Sequence, residues 1–172
     1  MGISFEDVSY RYRDGLTDIP ALDHLRLRFS EARMTAIVGA PGSGKSTLLQ
    51  HLNGLLRPDG GIVRIGEWRI GPDGKKLPAG LRRRVGLVFQ HPEQLLVEET
   101  VLEELKFGPR NFGMNEAEAE AAAFRAAALM MLDDSVLREN PFRLSSGQQR
   151  RAAIAAILAA DPDVLVLDEP TV

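Results

Sequence analysis

Apolar and polar residues alternate in two stretches near the N-terminus. The first stretch runs from Ile3 to Tyr12, and the second contains Leu25, Leu27 and Phe29. Alternation with a period of two is typical of strands that bury one face, because successive side chains point to opposite faces of a sheet. The pattern therefore predicts an antiparallel, partly solvated sheet.

Later in the chain, short and almost continuously apolar runs replace the alternation: Met34 to Val38, Val85 to Phe89, and Val164 to Leu167. Such runs are typical of strands buried on both faces, as in a parallel sheet covered by helices. Helical patterns lie between them, over Lys45 to Asn53 before Gly54, Val101 to Phe107 before Gly108, about Glu116 to Leu132 after an Asn115/Glu118 capping box, and about Gly147 to Ala159 before Asp161 and Pro162. This order predicts an α/β fold with a parallel sheet.

The composition is that of an ordinary folded domain. The chain has 172 residues, of which 44% are hydrophobic and 26% charged, and its formal net charge is −3. This balance gives no global field that would attract nucleic acid, and the run Arg82, Arg83 and Arg84 is interpreted as a solvated surface loop. The absence of cysteine excludes disulfides, thiol nucleophiles and cysteine-bound metals, and it favours a reducing compartment such as the cytoplasm. The longest apolar stretch, Ala152 to Ala160, is too short to span a membrane, and the N-terminus lacks a signal-peptide pattern.

A phosphate-binding loop is the strongest motif. The residues from Gly39 fit the pattern G-x-x-x-x-G-K-[ST] between an apolar run and a helical pattern, which is the context that this motif requires. Glycines allow the backbone N–H groups to turn toward a phosphate, Lys45 neutralises the β and γ phosphates, and Ser46 is a ligand for Mg²⁺. The predicted nucleotide-binding residues here are Gly39, Ala40, Pro41, Gly42, Ser43, Gly44, Lys45, Ser46 and Thr47.

Two adjacent carboxylates follow the last apolar run. Asp168 and Glu169 come at its C-terminal end, the edge at which ligands bind in open α/β sheets. Because side chains alternate along a strand, Asp168 is predicted to hold a water of the Mg²⁺ shell while Glu169 reaches the attacking water. An acidic turn before Pro170 is the alternative; the phosphate loop favours the functional interpretation.

A second anion site is predicted where the last helix begins. Ser145, Ser146, Gly147 and Gln148 present a hydroxyl group, backbone N–H groups and a helix dipole at one point. Taken alone, a serine before a helix is normally just an N-cap.

The phosphate loop, the segment from Ser145 and the carboxylate strand follow one another along the chain in an order that resembles the ATP-binding cassette (ABC) ATPases, in which the second element is called the signature. The resemblance implies that Ser145 to Gln148 face an ATP held by the phosphate loop of a second subunit, although Ser146 replaces the usual glycine. It also implies that Gln90 contacts Mg²⁺ and the attacking water and that Tyr12 stacks on adenine. The alternative is that Tyr12 has a packing role and that Tyr10 is the residue that stacks on adenine.

Within that family, the segments SYRYRDG, VGLVFQHPEQ, EETV and FGPRNFG look like ATPase subunits of energy-coupling factor transporters and their cobalt-uptake relatives. The resemblance implies ATP and Mg²⁺ as cofactors, a second identical or different ATPase subunit, a membrane coupling subunit and a substrate-capture protein. It places the chain at the cytoplasmic face of the membrane as a peripheral subunit that imports a vitamin or a cobalt or nickel ion, without nucleic acid. The implied organisation is one P-loop nucleotide-binding domain over 1–172, with a β subdomain over about 1–33 and 60–84 and a helical, signature-bearing subdomain over about 91–150.

The alternative functions are those of a P-loop kinase or GTPase, a non-transport cassette ATPase and a non-hydrolysing nucleotide sensor. A P-loop kinase or GTPase does not account for Ser145 to Gln149, and no N-K-x-D motif for guanine is present. A non-transport cassette ATPase usually carries a second cassette or long heptad insertions, which this sequence lacks. A non-hydrolysing nucleotide sensor stays open.

The family pattern continues beyond the carboxylate strand, with a D-loop, another strand and a switch histidine. The sequence ends at Val172, and His24, His51 and His91 all precede that strand, so His51 is interpreted as a surface or core residue. We therefore expect an incomplete core that lacks its C-terminal part. We also expect the strand from Val164 to be short of a neighbour and ATP to be bound and hydrolysed weakly.

Overall fold

The alternating stretches form an antiparallel sheet, as predicted. The computed structural model describes residues 1–13, 15, 17–78 and 80–169. The sheet has the spatial order β2-β1-β3-β4 and consists of β1 (Ile3–Arg13), β2 (Asp18–Phe29), β3 (Gly60–Ile65) and β4 (Trp68–Ile70). Ile3 pairs with Phe29 on one side and with Ile65 on the other. Burial of alternate residues in β1, beginning with Ile3 and Phe5, explains the alternating sequence.

A bulge interrupts β1 and requires a glycine at the facing position of β3. The pairing register shifts between Phe5 and Val8, and Asp7 between them has φ +58°. Gly61 in β3 lies against this bulge with φ +76°, and a Cβ atom there would come within 2.3 Å of the Asp7 carbonyl oxygen. Only glycine fits at that position.

Two helices belong to the same N-terminal unit, Met1–Val85. Helix α1 (Lys45–Leu52) buries Leu48, Leu49 and Leu52. Helix α2 (Leu81–Arg84) is a single turn that buries Leu81, so the arginine run is helical and not the loop that its charge suggested. The three arginines are exposed, and the Arg84 guanidinium lies 5.4 Å from the centroid of the Trp68 ring.

The second unit, Gly86–Val172, is largely helical. After β5 (Val85–Val88) come α3 (Val101–Asn111), α4 (Glu116–Leu129), α5 (Asp134–Leu137), α6 (Ser146–Leu158) and β6 (Val164–Leu167). Strands β5 and β6 form a two-stranded sheet. The helical core contains mostly alanine and leucine, and the tight packing of α3, α4 and α6 follows from these small side chains: Val101, Leu105, Ala123, Ala126, Ala127, Leu132, Val136, Leu137, Ala152, Ala155 and Ala159.

Most helix boundaries were predicted within a residue or two, and two were wrong. Helix α3 continues past Gly108 and Pro109 to Asn111, because a proline near a helix end removes only its own N–H while the Pro109 carbonyl oxygen still accepts from Met114 N at 3.1 Å. Helix α4 ends at Leu129, before the predicted Leu132.

The predicted strand from Met34 to Val38 is wrong for this structure. Met34 is 100% exposed and Val38 is 92% exposed, and no strand pairs with this segment in the described residues. A strand without a neighbour cannot pair its backbone N–H and C=O groups, so apolar character alone does not produce one.

Strand β6 forms where it was predicted, but it is only partly buried. Val166 is 5% exposed, whereas Leu165 and Leu167 are 39% and 43% exposed. Within the described ranges, β5 is the one strand that pairs with it. Among the same residues, no helix is both long and apolar enough to cross a membrane.

Candidate nucleotide site

The loop before α1 is shaped by two left-handed glycines. Gly42 has φ +77° and Gly44 has φ +87°. A Cβ atom on Gly44 would lie 2.4 Å from the Ala21 carbonyl oxygen, whereas no atom of the described residues lies within 4 Å of the same position at Gly42. The loop is therefore closed against the sheet at Gly44 and open at Gly42, and glycine is required at the closed end.

Lys45 and the start of α1 supply positive potential to this loop. Lys45 Nζ donates to the carbonyl oxygens of Gly39 and Ala40, both at 3.0 Å. Among the described residues, no side chain caps the N-terminus of α1, and the first N–H groups of a helix have no partner inside the helix. Together with the helix dipole, these donors fit a bound phosphate group. Ser46 is exposed at the same point, as a ligand for Mg²⁺ would be.

Tyr12 lies beside this helix. Its ring is 41% exposed, and its hydroxyl group is 3.1 Å from Thr47 Oγ1. Tyr10, on the same strand, is half-buried and packs edge-on against Tyr12 and His51, with ring centroids 5.0 Å apart in both pairs. The structure therefore leaves Tyr12 more accessible than Tyr10, and its contact with adenine stays a prediction.

His51 is a core residue, one of the two predicted possibilities. It is 0% exposed, and Nδ1 donates to the Thr47 carbonyl oxygen at 2.7 Å. Burial lowers the pKa of His51 from its ordinary value, against the opposing effect of the Thr47 and Arg57 backbones. The buried ring is therefore neutral at pH 7.

In the second unit, the predicted catalytic residues meet where β5 and β6 end. Asp168 is 7% exposed, and its backbone N–H donates to the Val88 carbonyl oxygen at 2.9 Å. Gln90 Nε2 donates to Glu169 Oε2 at 2.8 Å, so these two side chains are in contact, and their roles toward an attacking water stay a prediction. Pro170, the last element of the predicted acidic turn, lies outside the described residues.

The signature-like segment forms a capping box. Ser145 is the N-cap of α6, its Oγ donates to Gln148 Oε1 at 2.8 Å, and its backbone N–H donates to the same oxygen at 3.1 Å. Ser146 and Gly147 are exposed in the first turn. The structure thus shows the capping role directly, and the role toward a partner's ATP stays a prediction.

One residue at this edge was missed by sequence reasoning. Arg150 on α6 donates from Nη2 to the carbonyl oxygens of Gln90 and Glu169, at 3.3 and 3.0 Å. Both partners are remote in sequence, and backbone carbonyls carry no residue-type signal. The sequence feature that indicates a role for Arg150 is its position in the second turn of a helix that follows an anion-binding pattern.

Comparisons with known proteins identify the family. The sequence profile of the ABC transporter family matches residues 22–172. The chain is 50% identical over 174 residues to the energy-coupling factor transporter ATP-binding protein EcfA2 of Latilactobacillus sakei, covering 99% of this chain and 60% of that protein. The EcfA2 of Lactiplantibacillus plantarum is 50% identical over 173 residues and is covered to 59% of its length. The chain therefore spans about three fifths of these curated relatives.

Solved structures show the same fold. The dimeric ATP-binding cassette MJ0796, bound to ADP and phosphate in a post-hydrolysis state, matches with a TM-score of 0.84 and 30% identity over 98% of this chain and 74% of that one. The structure of cbiO1 from Clostridium perfringens, part of the ABC transporter complex cbiONQ, matches with a TM-score of 0.82 and 33% identity over 98% and 65% of the two chains. The α/β fold class is confirmed, and the chain belongs to the ABC transporter family.

Proposed function

We propose that this chain is the ATP-binding part of an ATPase subunit in an energy-coupling factor importer. The observation that carries the proposal is the loop before α1, in which Gly42 and Gly44 turn the backbone, Lys45 lies on the loop carbonyls, and no side chain caps the helix. The likeness to EcfA2 proteins over almost the whole chain supports the transporter assignment.

The proposed chemistry is hydrolysis of the γ phosphate of ATP. Lys45 and the α1 N-terminus hold the phosphates, and the proposed ligands for Mg²⁺ are Ser46, Gln90 and Asp168, which are oxygen donors of the kind that this ion takes. When bound, Mg²⁺ neutralises charge on the phosphate oxygens. Glu169 orients the attacking water, and the amide of Gln90 holds its carboxylate.

The proposed organisation follows the same family. A β subdomain over about 1–33 and 60–84 contributes Tyr12 to the adenine, and a helical subdomain over about 91–150 carries Ser145, Ser146, Gly147 and Gln148 toward the ATP of a second subunit. A membrane coupling subunit and a substrate-capture protein complete the assembly at the cytoplasmic face of the membrane. The transported solute is a vitamin or a cobalt or nickel ion.

Lys45→Ala tests nucleotide binding. Loss of the ammonium group should weaken binding of a fluorescent ATP analogue with Mg²⁺ at least about tenfold, since a hydrogen bond to a charged group contributes about 1.5–3 kcal/mol. Lys76→Ala, in an exposed segment of the same unit, is the matched control and should bind as the unchanged protein does. Equal affinity of Lys45→Ala and the control would exclude the loop as the phosphate site.

Glu169→Gln, tested with the second ATPase subunit present, distinguishes hydrolysis from sensing. A hydrolysing enzyme should accumulate an ATP-bound dimer after this substitution, because binding is preserved while activation of water is lost. Dimer formation is measured by size-exclusion chromatography with ATP. A dimer population that does not respond to the substitution would favour the non-hydrolysing nucleotide sensor.

A further inference from the structure

The guanidinium group of Arg150 joins the first turns of α6 to the ends of both strands in the second unit. Its Nη2 donates to the Gln90 carbonyl oxygen at 3.3 Å and to the Glu169 carbonyl oxygen at 3.0 Å. Arg150 is half-buried, and it lies five residues after the N-cap residue Ser145. A single side chain therefore connects the start of α6 to Gln90 and Glu169, the two predicted catalytic residues.

Side-chain contact reinforces this backbone bridge. Gln90 Nε2 donates to Glu169 Oε2 at 2.8 Å, while the carbonyl oxygens of the same two residues accept from Arg150. The next backbone contact is from Asp168 N to the Val88 carbonyl oxygen at 2.9 Å. Gln90 and Glu169 are thus tied to each other by their side chains and to α6 by their main chains.

The backbone of Glu169 shows that this position is held under constraint. Its φ of +46° is in the left-handed region, which a residue with a Cβ atom rarely adopts. Such a conformation persists only where the surroundings fix it. At Glu169, two hydrogen bonds contribute to this constraint: the bond from Arg150 to its carbonyl oxygen and the bond from Gln90 to its carboxylate.

Arginine suits this task because its guanidinium is planar and remains protonated at every working pH. Carbonyl oxygens at the ends of two strands carry partial negative charge, and the Glu169 carboxylate adds a full negative charge nearby. Both bonds come from the one Nη2 group, so a glutamine side chain, which is shorter and neutral, would not reach the two carbonyl oxygens from the same position and would lose the attraction to this edge.

We infer that Arg150 is a positioning residue for the proposed hydrolysis. It fixes Glu169 and Gln90 relative to α6, so that α6 and the Glu169 carboxylate move together. The inference rests on the proposed function, because it assigns Arg150 a role in the reaction that Glu169 is proposed to perform. It adds a link between Ser145 and Glu169 within one chain.

The test uses Arg150→Gln and Arg150→Lys, with Arg125→Gln on the exposed face of α4 as the matched control. All are compared in the ATPase assembled with its partner subunits. Arg150→Gln should lower kcat at least about tenfold and leave the KM for ATP within about threefold, because a small misplacement of a catalytic group slows the reaction without removing the phosphate contacts. Arg150→Lys keeps the charge and should recover part of kcat, and thermal unfolding shows that each variant folds.

Hydrogen exchange provides a readout that does not depend on turnover. In Arg150→Gln, exchange should rise in peptides containing residues 89–91 and 167–169, including the Asp168 amide, while peptides from α4 keep their protection. Unchanged exchange or an unchanged kcat in Arg150→Gln would overturn the inference, as would a loss of the same size in Arg125→Gln. If the unchanged protein does not hydrolyse ATP, the proposed function fails and the catalytic role of Arg150 fails with it; exchange that still depends on Arg150 would then mark a structural contact alone.

Discussion

Glu104 is a carboxylate buried in the helical core, where a charge is costly unless it is paired. It is 7% exposed, and Oε2 accepts the backbone N–H groups of Val97 and Glu98 at 2.8 and 2.9 Å. These bonds hold the segment before α3, in which Val97 is 68% exposed and follows a short 3₁₀ turn that ends at Leu95, itself 55% exposed. A single side chain thus fixes a segment that presents apolar residues to water.

Removal of this carboxylate tests how much the segment depends on it. Glu104→Ala should lower the free energy of unfolding by about 2–4 kcal/mol, because two part-buried N–H groups lose their acceptor at about 1–2 kcal/mol each. Glu104→Gln keeps an oxygen acceptor and should cost less than half as much. Urea unfolding measures both effects. Glu120→Ala, at an exposed position of α4, is the control with no expected change. Equal stability of Glu104→Ala and Glu120→Ala would contradict the role.

At the level of elements, helix starts separate into two kinds. Helices α4 and α6 begin with capping boxes, Asn115 with Glu118 and Ser145 with Gln148, whereas α1 begins after Gly44 without a side-chain cap. A side-chain cap satisfies one or two of the N–H groups at a helix start, while an uncapped helix offers all of its first N–H groups to a ligand. The start of α1 is therefore the more available anion site, whereas at α6 the cap already uses the N–H groups of Ser145 and Gln148.

Two substitutions at Ser145 separate the cap from a contact with ATP. Ser145→Ala removes the cap and should cost about 1 kcal/mol of stability. Ser145→Asp keeps a capping oxygen and should preserve stability, but its negative charge beside a partner's γ phosphate should reduce ATP hydrolysis at least about tenfold. Thermal unfolding and phosphate release measure the two effects. Full hydrolysis by a stable Ser145→Asp variant would leave the cap as the sole role of this serine.

The stability of the whole molecule depends on pH in two ranges, because folding lowers the pKa of a carboxyl group and of a histidine. Hydrogen bonds from Arg110 and Lys106 lower the pKa of Glu116 to about 2, from an ordinary value of 4.5. Burial lowers the pKa of His51 from an ordinary value of 6.5. In both cases the unfolded chain binds a proton that the folded chain does not, so stability rises with pH between the folded and the unfolded pKa.

Acid should therefore lower the free energy of unfolding first below about pH 6.5, through His51, and again from about pH 4.5 toward pH 2, through carboxylates such as Glu116. His51 contributes at most about 1.4 kcal/mol per pH unit in the upper range. His51→Asn should abolish the upper step while keeping a donor toward the Thr47 carbonyl oxygen. Unfolding curves from pH 8 to 3 measure this. His24→Asn, a substitution of an exposed histidine, should retain the upper step, and an upper step that survives in His51→Asn would contradict the assignment.

Local sequence patterns determined much of this molecule. Alternation predicted β1 and β2, the Asn115 and Glu118 spacing predicted a capping box, and the glycine spacing predicted the loop before α1, because each of these features depends on neighbours within a few residues. The motifs also identified the family, since residue type and spacing are what such motifs record.

Only the tertiary structure decided the features that depend on distant neighbours. The apolar run from Met34 to Val38 has no paired strand in the part of the chain that the structure describes, and strand formation requires such a partner. Whether His51 was core or surface depended on Tyr10, 41 positions away in sequence. The bridge from Arg150 to Gln90 and Glu169 joins backbone carbonyls, which are the same in every residue, so no sequence pattern announces it. The sequence by itself determined which groups the chain carries, and the fold decided which of them meet, because contacts between remote residues depend on the packing of the elements that carry them.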